Sequence, residues 1–369
     1  MKHSFTSKIL EVLTIHFKED AEQIYENSEL LQFLNKKTKS AHKGSKARGS
    51  FGTIYAIYTL VEDYINRGYI EKGNYRKYEG ARFTDLLTRA KELPFGAKLQ
   101  NHSFNQRVNE EFKATFPLIS KIPILRNPET KRYWINENLL QVKANKTDFN
   151  ISRSLIEIID EYIVAKTSAF DAFIETCEKL KQFESNKGES IKEFILSLLA
   201  PNADARIFEI VSYSILKENY YEQSVFFGFS MDSIEEENLK LYKTGRTNAN
   251  DGGIDFVMKP LGRFFQVTET TDVKKYFLDI DKLEKFPITF VVKSTESPDS
   301  LKQKIKEGAE QEYSIEAVVD KYIGCIEEII NIDKLIEALN SIETNGKLNN
   351  ILTEIIKQSK VEFNYEVEE

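Results

Sequence analysis

The sequence predicts an α/β protein in two parts: a mainly α N-terminal domain, and a C-terminal domain with a mixed central sheet flanked by helices. The 369 residues exceed what one ordinary hydrophobic core holds. Apolar residues recur at helical spacing through the first half, whereas short β-branched and aromatic runs alternate with helical segments in the second. Because the Gly- and Ser-containing stretch Glu184–Ser190 separates the halves, we expect domains at residues 1–184 and 191–369.

Charge is distributed unevenly along the chain. Residues 1–150 carry 25 Lys and Arg against 17 Asp and Glu, a net charge of +8, and the remaining residues carry 26 against 41, a net charge of −15. A basic half joined to an acidic half predicts that the first half meets a polyanion such as double-stranded DNA. A solvated, Lys-rich surface is the alternative interpretation.

The composition argues against several other classes of protein. No run approaches the ~20 apolar residues of a membrane-spanning helix, so no membrane partner is expected. The chain has only Cys177 and Cys325, without metal-ligand spacing, and four His in no paired motif. Neither a disulfide framework nor a zinc site is therefore predicted, and a reduced, cytoplasmic protein is the expectation.

The N-terminal half is predicted to be mainly helical. The apolar residues of segment 5–35 have helical spacing, which predicts one or two packing helices. The stretch Phe51–Arg67 is apolar on nearly all sides, so we expect a buried central helix there. Two further helices are predicted at Arg82–Leu93, which ends at Pro94, and at about Ala97–Phe116.

Two short strands, Ile122–Leu125 and Arg132–Ile135, are predicted next, around a turn that contains Pro128. Helix, short turn, polar helix and basic hairpin in this order resemble a winged helix-turn-helix. In that interpretation the polar face of helix 97–113 contacts base edges, because amide, imidazole and ammonium groups can recognise them. A polar face that is only solvated is the alternative. The candidate DNA-binding residues on the helix and wing are Lys98, Asn101, His102, Asn105, Gln106, Lys131 and Arg132.

A small, polar and basic segment precedes the central helix, and it contains Lys43, Lys46 and Arg48. Backbone N–H groups at a helix start, together with nearby cations, can hold a DNA phosphate. A flexible basic linker is the equally open alternative.

The second half is organised around the stretch from Thr244 to Glu269. Ile254, Phe256 and Met258 alternate with Asp255 and Val257, which is the period of a strand. A tight turn at Pro260-Leu-Gly262 leads into a second strand at 264–268, which contains Gln266. A carboxylate within an apolar strand is costly unless it is paired or holds a metal, so Asp255 is a candidate functional residue.

The motif Asp251-Gly-Gly-Ile-Asp255, followed by a hairpin and Gln266-Val-Thr268, resembles the core of the PD-(D/E)XK restriction-endonuclease-like superfamily, near its Mrr-like branch. The flanking elements fit the α-β-β-β-α-β order of that family. A helix with the N-cap Asp204 runs to Glu218, and a first core strand is expected at Val225–Phe229. After the hairpin we expect a helix at about 272–285 and a buried strand at 288–292.

The resemblance implies a magnesium site. Asp255 takes the position of the metal-binding Asp and Gln266 that of the second site residue. The main-chain carbonyl of Val267 would be a ligand, and Glu209 would take the position of the helix Glu. Mg²⁺ prefers one or two carboxylates plus waters, which suits this set.

The family's catalytic Lys is missing, because Thr268 stands in its position. A replacement cation is expected from Lys274, ahead of Lys275 and Lys293, which are the other candidates. Arg246 and Asn248, in the loop before Asp255, are candidate DNA contacts or else turn formers.

The resemblance therefore implies a metal-dependent, sequence-specific DNA endonuclease. The expected enzyme resembles a type II restriction enzyme. Such an enzyme would act as a homodimer on a palindromic site, and a cognate DNA methyltransferase would be encoded nearby. A modification-dependent nuclease is a variant of the same hypothesis. Two rivals remain: a catalytically degenerate nuclease fold, and a winged-helix regulator that binds DNA without cleaving it.

Overall fold

The structure is a computed structural model, and it describes residues 2–41, 48–97, 99, 103–182, 188–244, 254–269 and 272–363. The chain divides into two compact units, Met1–Phe173 and Ile174–Glu369. The division falls inside a long helix rather than in the predicted linker, and the last linker residues, from Gly188, begin another helix. Along the described ranges, no helix is long and apolar enough to cross a bilayer.

The first unit is mainly helical, with two small sheets. Its helices are α1 (Thr6–Phe17), α2 (Ala21–Asn27), α3 (Glu29–Lys37), α4 (Arg48–Asn66), α5 (Tyr69–Lys72), α6 (Phe83–Glu92), α7 (Val108–Thr115) and α8 (Ser152–Gln182), the last of which continues past the division. Its strands are β1 (Ala81–Arg82), β2 (Ile124–Asn127), β3 (Arg132–Ile135), β4 (Gln141–Ala144) and β5 (Thr147–Asn150).

Helix α4 is the centre of this unit, which confirms the predicted buried helix. Phe51, Tyr55 and Tyr64 on it are fully buried. The ring of Phe51 lies 5.4 Å from that of Tyr162 on α8, and the phenol of Tyr55 donates a hydrogen bond to the Pro94 carbonyl. A helix that is apolar all round can be stable only when other elements cover every side, and here they do.

A three-stranded sheet with the order β1-β3-β2 follows α4. The predicted hairpin is confirmed as β2 and β3, and β1 is an addition that pairs Ala81 with Tyr133 in antiparallel register. The Asn109 amide on α7 donates to the Ile124 carbonyl at 2.8 Å and accepts from the Ile124 N–H at 3.0 Å. This side chain therefore fixes β2 against α7.

The helix predicted from Ala97 to Phe116 is shorter than expected. A π-helical turn at Ser103–Arg107 leads into α7, which ends at Thr115. The apolar row of Phe104, Val108 and Phe112 is buried as predicted. Periodicity located the buried face but did not reveal where regular α-helical geometry begins.

The second unit contains one large mixed sheet, a small hairpin and flanking helices. Its strands are β6 (Ser224–Phe227), β7 (Glu235–Asn238), β8 (Lys240–Lys243), β9 (Phe256–Lys259), β10 (Arg263–Thr268), β11 (Ile288–Val292) and β12 (Ile326–Ile330). Its further helices are α9 (Gly188–Leu199), α10 (Ala205–Tyr221), α11 (Val273–Lys282), α12 (Pro298–Glu312), α13 (Glu316–Gly324), α14 (Ile332–Thr344) and α15 (Leu348–Phe363).

The large sheet has the order β12-β11-β10-β9-β8. Strands β8, β9 and β10 are antiparallel, and β10, β11 and β12 are parallel. The expected first core strand at Val225–Phe229 is wrong, because β6 pairs with β7 in a separate sheet and β8 takes the place beside β9. Sequence periodicity marks a strand but cannot say which neighbour it pairs with.

Helices cover both faces of this sheet. On one face Tyr213 and Tyr220 of α10 place their rings 5.2 and 6.0 Å from those of Phe256 and Phe265. On the other face Phe290 packs with α11 and α12 in a separate core cluster. Because side chains alternate along a strand, each β10 residue faces either α10 or α11, and this decides which predicted site residues can meet.

We expect Asn109→Ala to destabilise the first unit by about 2 kcal/mol, because the buried N–H and C=O of Ile124 lose their partners. Urea unfolding and amide hydrogen exchange of β2 and β3 measure the effect. Gln106→Ala, at an exposed position before the same helix, is the control and should change neither. Equal exchange in both variants would contradict this role of Asn109.

Candidate functional site

Asp255 lies one residue before β9, at the open end of the antiparallel pair β9–β10. Its Oδ2 accepts a hydrogen bond from the Val267 N–H at 2.7 Å, and its own N–H donates to the Phe265 carbonyl at 2.9 Å. The Thr244 N–H donates to the Asp255 carbonyl at 2.9 Å. The carboxylate thus continues the ladder where the strand ends, and the backbone of Asp255 is hydrogen-bonded on both sides.

The Val267 carbonyl points towards the same side of β10 as the Val267 N–H, where Asp255 lies. In an antiparallel ladder the N–H and C=O of one residue face the same adjacent strand, so the carbonyl of Val267 lies on the side of Asp255. The Gln266 Nε2 donates to this carbonyl at 3.3 Å. Two of the predicted ligand groups, the Asp255 carboxylate and the Val267 carbonyl, are therefore brought together.

Glu209 on α10 lies between two cations. Its Oε1 is 2.9 Å from the Nζ of Lys243, at the end of β8, and its Oε2 binds Arg206 one helical turn earlier. The Nε of Arg206 also lies 3.2 Å from Oε1 of Glu362 on α15. The Glu209 side chain is almost buried, so its charge is balanced by these cations rather than by water.

The electrostatics connect Glu209 with Asp255. The pKa of Asp255 is raised to about 7: burial and then the nearby Glu209 carboxylate raise it, and the Val267 N–H and the charges of Arg206 and Lys243 lower it in part. Burial also lowers the pKa of Lys243, against the attraction of Glu209. Two carboxylates and two cations thus share a poorly hydrated site.

Gln266 and Thr268 lie on the other face of the sheet, against the expectation that Gln266 lines the site with Glu209. Gln266 is in register with Phe290, and the Thr268 hydroxyl accepts a hydrogen bond from Lys275 Nζ on α11 at 3.0 Å. Alternation along β10 separates these two side chains from the α10 face. The Oε1 of Gln266 is buried and accepts no hydrogen bond within the described part of the chain.

The predicted replacement cation, Lys274, is not in the site. Its side chain is 66% exposed, and its Nζ lies 3.1 Å from Glu312. Lys293 is buried and lies 2.5 Å from Glu269, while Lys275 reaches Thr268. Among the described residues, the lysine beside Asp255 and Glu209 is Lys243, which sequence reasoning missed. Its signal was the alternation in β8, where the buried Leu241 and Lys243 share one face.

Magnesium sets the test for these oxygen donors. Mg²⁺ binds through one or two carboxylates and keeps several waters. The Asp255 carboxylate and the Val267 carbonyl are hard donors that lie together, whereas both oxygens of Glu209 already bind Arg206 and Lys243. Within the described ranges no group of three or more His, Cys, Asp and Glu could hold a metal. Water would have to complete the coordination of the ion.

Most of the predicted DNA contacts lie outside the described residues. These are Lys43, Lys46, Lys98, Asn101, His102, Arg246 and Asn248. The side chains of Arg48 and Asn105 are likewise not described. Gln106 and Lys131 are exposed, whereas Arg132 donates to the Gly80 carbonyl at 2.8 Å and so connects β3 to the turn before β1.

Comparison of the chain with family models, curated proteins and solved structures gave no match.

We expect Asp255→Asn to stabilise the metal-free protein above pH 7, by roughly 4 kcal/mol at most. The folded pKa of about 7 lies above the unfolded value of about 3.9, so this carboxyl loses stabilising protonation as pH rises from 4 to 7. The amide keeps an acceptor for Val267 and carries no charge. Unfolding in EDTA at pH 4, 6 and 8 measures the growing difference from wild type.

Asp281→Asn is the matched control for this prediction. The Tyr322 hydroxyl and Lys285 lower the pKa of Asp281, so the ionised carboxylate of Asp281 stabilises the folded protein. Asp281→Asn should therefore gain no stability at pH 8. An Asp255→Asn protein that is no more stable than wild type at pH 8 would contradict the inference that burial raises the pKa of Asp255.

Proposed function

We propose that this protein is a metal-dependent endonuclease that hydrolyses phosphodiester bonds of double-stranded DNA, as the type II enzyme of a cytoplasmic restriction–modification system. The observation that carries the proposal is the position of Asp255, whose carboxylate and the neighbouring Val267 carbonyl meet at a strand end under the electrostatic influence of Glu209. With the separate hairpin β6–β7 set aside, the elements from α10 through β8, β9, β10 and α11 to β11 have the α-β-β-β-α-β order that the sequence resemblance implies, and this supports the proposal.

Asp255, Glu209 and the Val267 carbonyl would hold Mg²⁺, which would supply Lewis acidity and a more acidic water. This chain's own cations have a separate role. Lys243 and Arg206 hold Glu209 in one orientation, and their charges offset the repulsion between Glu209 and a DNA phosphate. Lys243 thereby supplies the positive charge that Thr268, in the family's Lys position, does not.

The first unit would bind the DNA. Apart from the short helix α5, the elements α4, β1, α6, α7 and the hairpin β2–β3 have the order of a winged helix, with β3 between β1 and β2. Gln106 and Lys131 are exposed near this helix and on this hairpin, in positions suited to base and phosphate contacts. A homodimer would place one site on each strand of a palindrome, and a DNA methyltransferase would protect the host.

A binding protein without cleavage is the second candidate. It is favoured by the Glu209 carboxylate, both of whose oxygens already bind cations, and by Thr268. This candidate has the same DNA-binding unit but needs no metal, so a cleavage assay separates the two.

We expect the protein to cut unmethylated DNA into discrete bands in Mg²⁺ and to be inactive in EDTA. Asp255→Ala should lower the cleavage rate by more than about 100-fold, because it removes the anchoring carboxylate. Gel-shift assays in Ca²⁺ should show that DNA binding persists in this variant. Discrete cleavage by Asp255→Ala, or metal-independent binding with no cleavage by wild type, would reject the proposal.

We expect Lys243→Met to slow cleavage by about 100-fold, since one charge of a desolvated site is removed. Lys274→Ala is the control at an exposed lysine and should cleave at the wild-type rate. Lys243→Arg should recover part of the rate. Single-turnover rates over a Mg²⁺ titration distinguish a loss of metal affinity from a slower step. Wild-type rates in Lys243→Met together with a defect in Lys274→Ala would restore the original expectation for Lys274.

A further inference from the structure

Glu362 on α15 is a buried carboxylate next to the candidate site. It is 3% exposed, although a glutamate is almost never fully buried unless its charge is paired. Its Oε1 lies 3.2 Å from the Nε of Arg206, in the first turn of α10. The same guanidinium contacts Glu209 through Nη1. One arginine therefore joins the candidate metal ligand on α10 to a carboxylate of the last helix in the described part of the chain.

Arg206 has an unfavourable place in its own helix. The N-terminus of a helix carries partial positive charge, so a cation in the first turn is disfavoured there. The Arg206 side chain is 20% exposed, so water hydrates little of its charge. A guanidinium in such a place needs carboxylates beside it. Among the described residues, Glu209 and Glu362 are the acids that it contacts.

The shape of the guanidinium allows it to hold both acids at once. Its N–H donors lie in a fixed planar fork, so carboxylates can bind at more than one nitrogen. Nε faces Glu362, and Nη1 faces Glu209. The two acids thus share one positive charge. If one of them is withdrawn, the guanidinium still has the other.

Glu209 can bind a metal ion only by giving up a cation. Its Oε1 is 2.9 Å from Lys243 Nζ and its Oε2 contacts Arg206, so both oxygens are engaged. Breaking a buried ion pair is costly chiefly because it leaves an uncompensated charge. Glu362 already compensates the charge of Arg206, whereas Glu209 is the one acid that Lys243 contacts in the described ranges. Arg206 is therefore the cation that Glu209 releases at the lower cost.

We propose that Glu362 is a positioning residue, which keeps Arg206 paired when Glu209 releases it for a divalent metal ion. The inference rests on the proposed function, because it takes Glu209 and Asp255 as ligands of that ion. Glu362 contacts neither the ion nor DNA in this role, and it acts through Arg206. Its carboxylate lowers the cost of freeing Glu209 and offsets the repulsion between Arg206 and the ion.

Glu354 provides a matched control on the same helix. Its Oε2 lies 2.8 Å from Lys217 Nζ, about two helical turns before Glu362. Its side chain is 13% exposed, against 4% for that of Glu362. Both glutamates thus pair α15 with α10, but of the two it is Glu362 that contacts Arg206. A loss of helix packing would affect both variants alike, whereas a role at the metal site is specific to Glu362.

Binding of Mn²⁺ to the DNA-free full chain tests this role without a cleavage assay. Mn²⁺ suits carboxylate and carbonyl sites, and electron paramagnetic resonance measures the unbound ion. We expect Glu362→Gln to weaken Mn²⁺ binding by about 10- to 100-fold, as the loss of an outer-shell partner does. Glu354→Gln should bind Mn²⁺ as wild type does. Circular dichroism and urea unfolding verify that both variants are folded.

A double-mutant cycle tests whether Glu362 acts through Arg206. Arg206→Gln removes the cation that competes with the metal ion for Glu209, so this variant should bind Mn²⁺ at least as tightly as wild type. In the Arg206→Gln background, Glu362→Gln should then change the affinity by less than about twofold, because the residue through which it acts is gone. A purely structural role of Glu362 would not depend on Arg206 in this way.

Three results would overturn the inference. The first is the same Mn²⁺ affinity in wild type, Glu362→Gln and Glu354→Gln. The second is an equal loss of affinity on Glu362→Gln with and without Arg206. The third is a wild-type protein that binds no Mn²⁺, which would also remove the metal dependence of the proposed function.

The proposed function and this inference can fail separately. If Mn²⁺ binding responds to Glu362 and Arg206 as expected but the protein cuts no DNA, the nuclease is rejected and the role of Glu362 stands. If the protein cuts DNA and Asp255→Ala does not, while Glu362→Gln keeps the wild-type Mn²⁺ affinity, the function stands and the role of Glu362 is rejected.

Discussion

The hydrogen bond from the Val267 N–H to the Asp255 carboxylate is the contact on which the candidate site depends. Strand β9 begins only at Phe256, so the ladder would otherwise leave the next donor of β10 without a partner. The carboxylate satisfies that donor and is thereby kept at the end of the sheet, where desolvation raises its pKa. One side chain therefore both completes the backbone pairing and concentrates negative charge beside a carbonyl.

The charges around Glu209 follow from the same constraint. A nearly buried carboxylate next to Asp255 would be unstable without compensation, and Arg206 and Lys243 provide it from α10 and β8. A divalent cation at Asp255 would relieve the remaining repulsion between the two carboxylates. The metal ion of the proposed function would therefore need no further acidic residue. Glu362 draws α15 into this network through Arg206.

Whether a site residue could be predicted from the sequence depended on how far along the chain its interaction partners lie. A carboxylate in an apolar strand is a local signal, so the sequence by itself singled out Asp255. Glu209 and Val267 were expected from the family resemblance alone. Lys243 was missed because twelve residues separate it from Asp255 and only strand pairing brings them together. Lys274 was favoured on chain proximity, but its side chain extends to solvent and Glu312.

By itself the sequence determined the helices with strong apolar periodicity, such as α4 and α10, the strand pair around Asp255, and the uneven charge of the two halves. Burial of side chains at a fixed period acts within one element, so the chain alone can reveal it. The tertiary structure decided that β8 rather than β6 joins the large sheet, that Gln266 faces α11, and that Lys243 neutralises Glu209. Strand pairing and ion pairs join residues distant along the chain, and their energies depend on the neighbours that folding brings close.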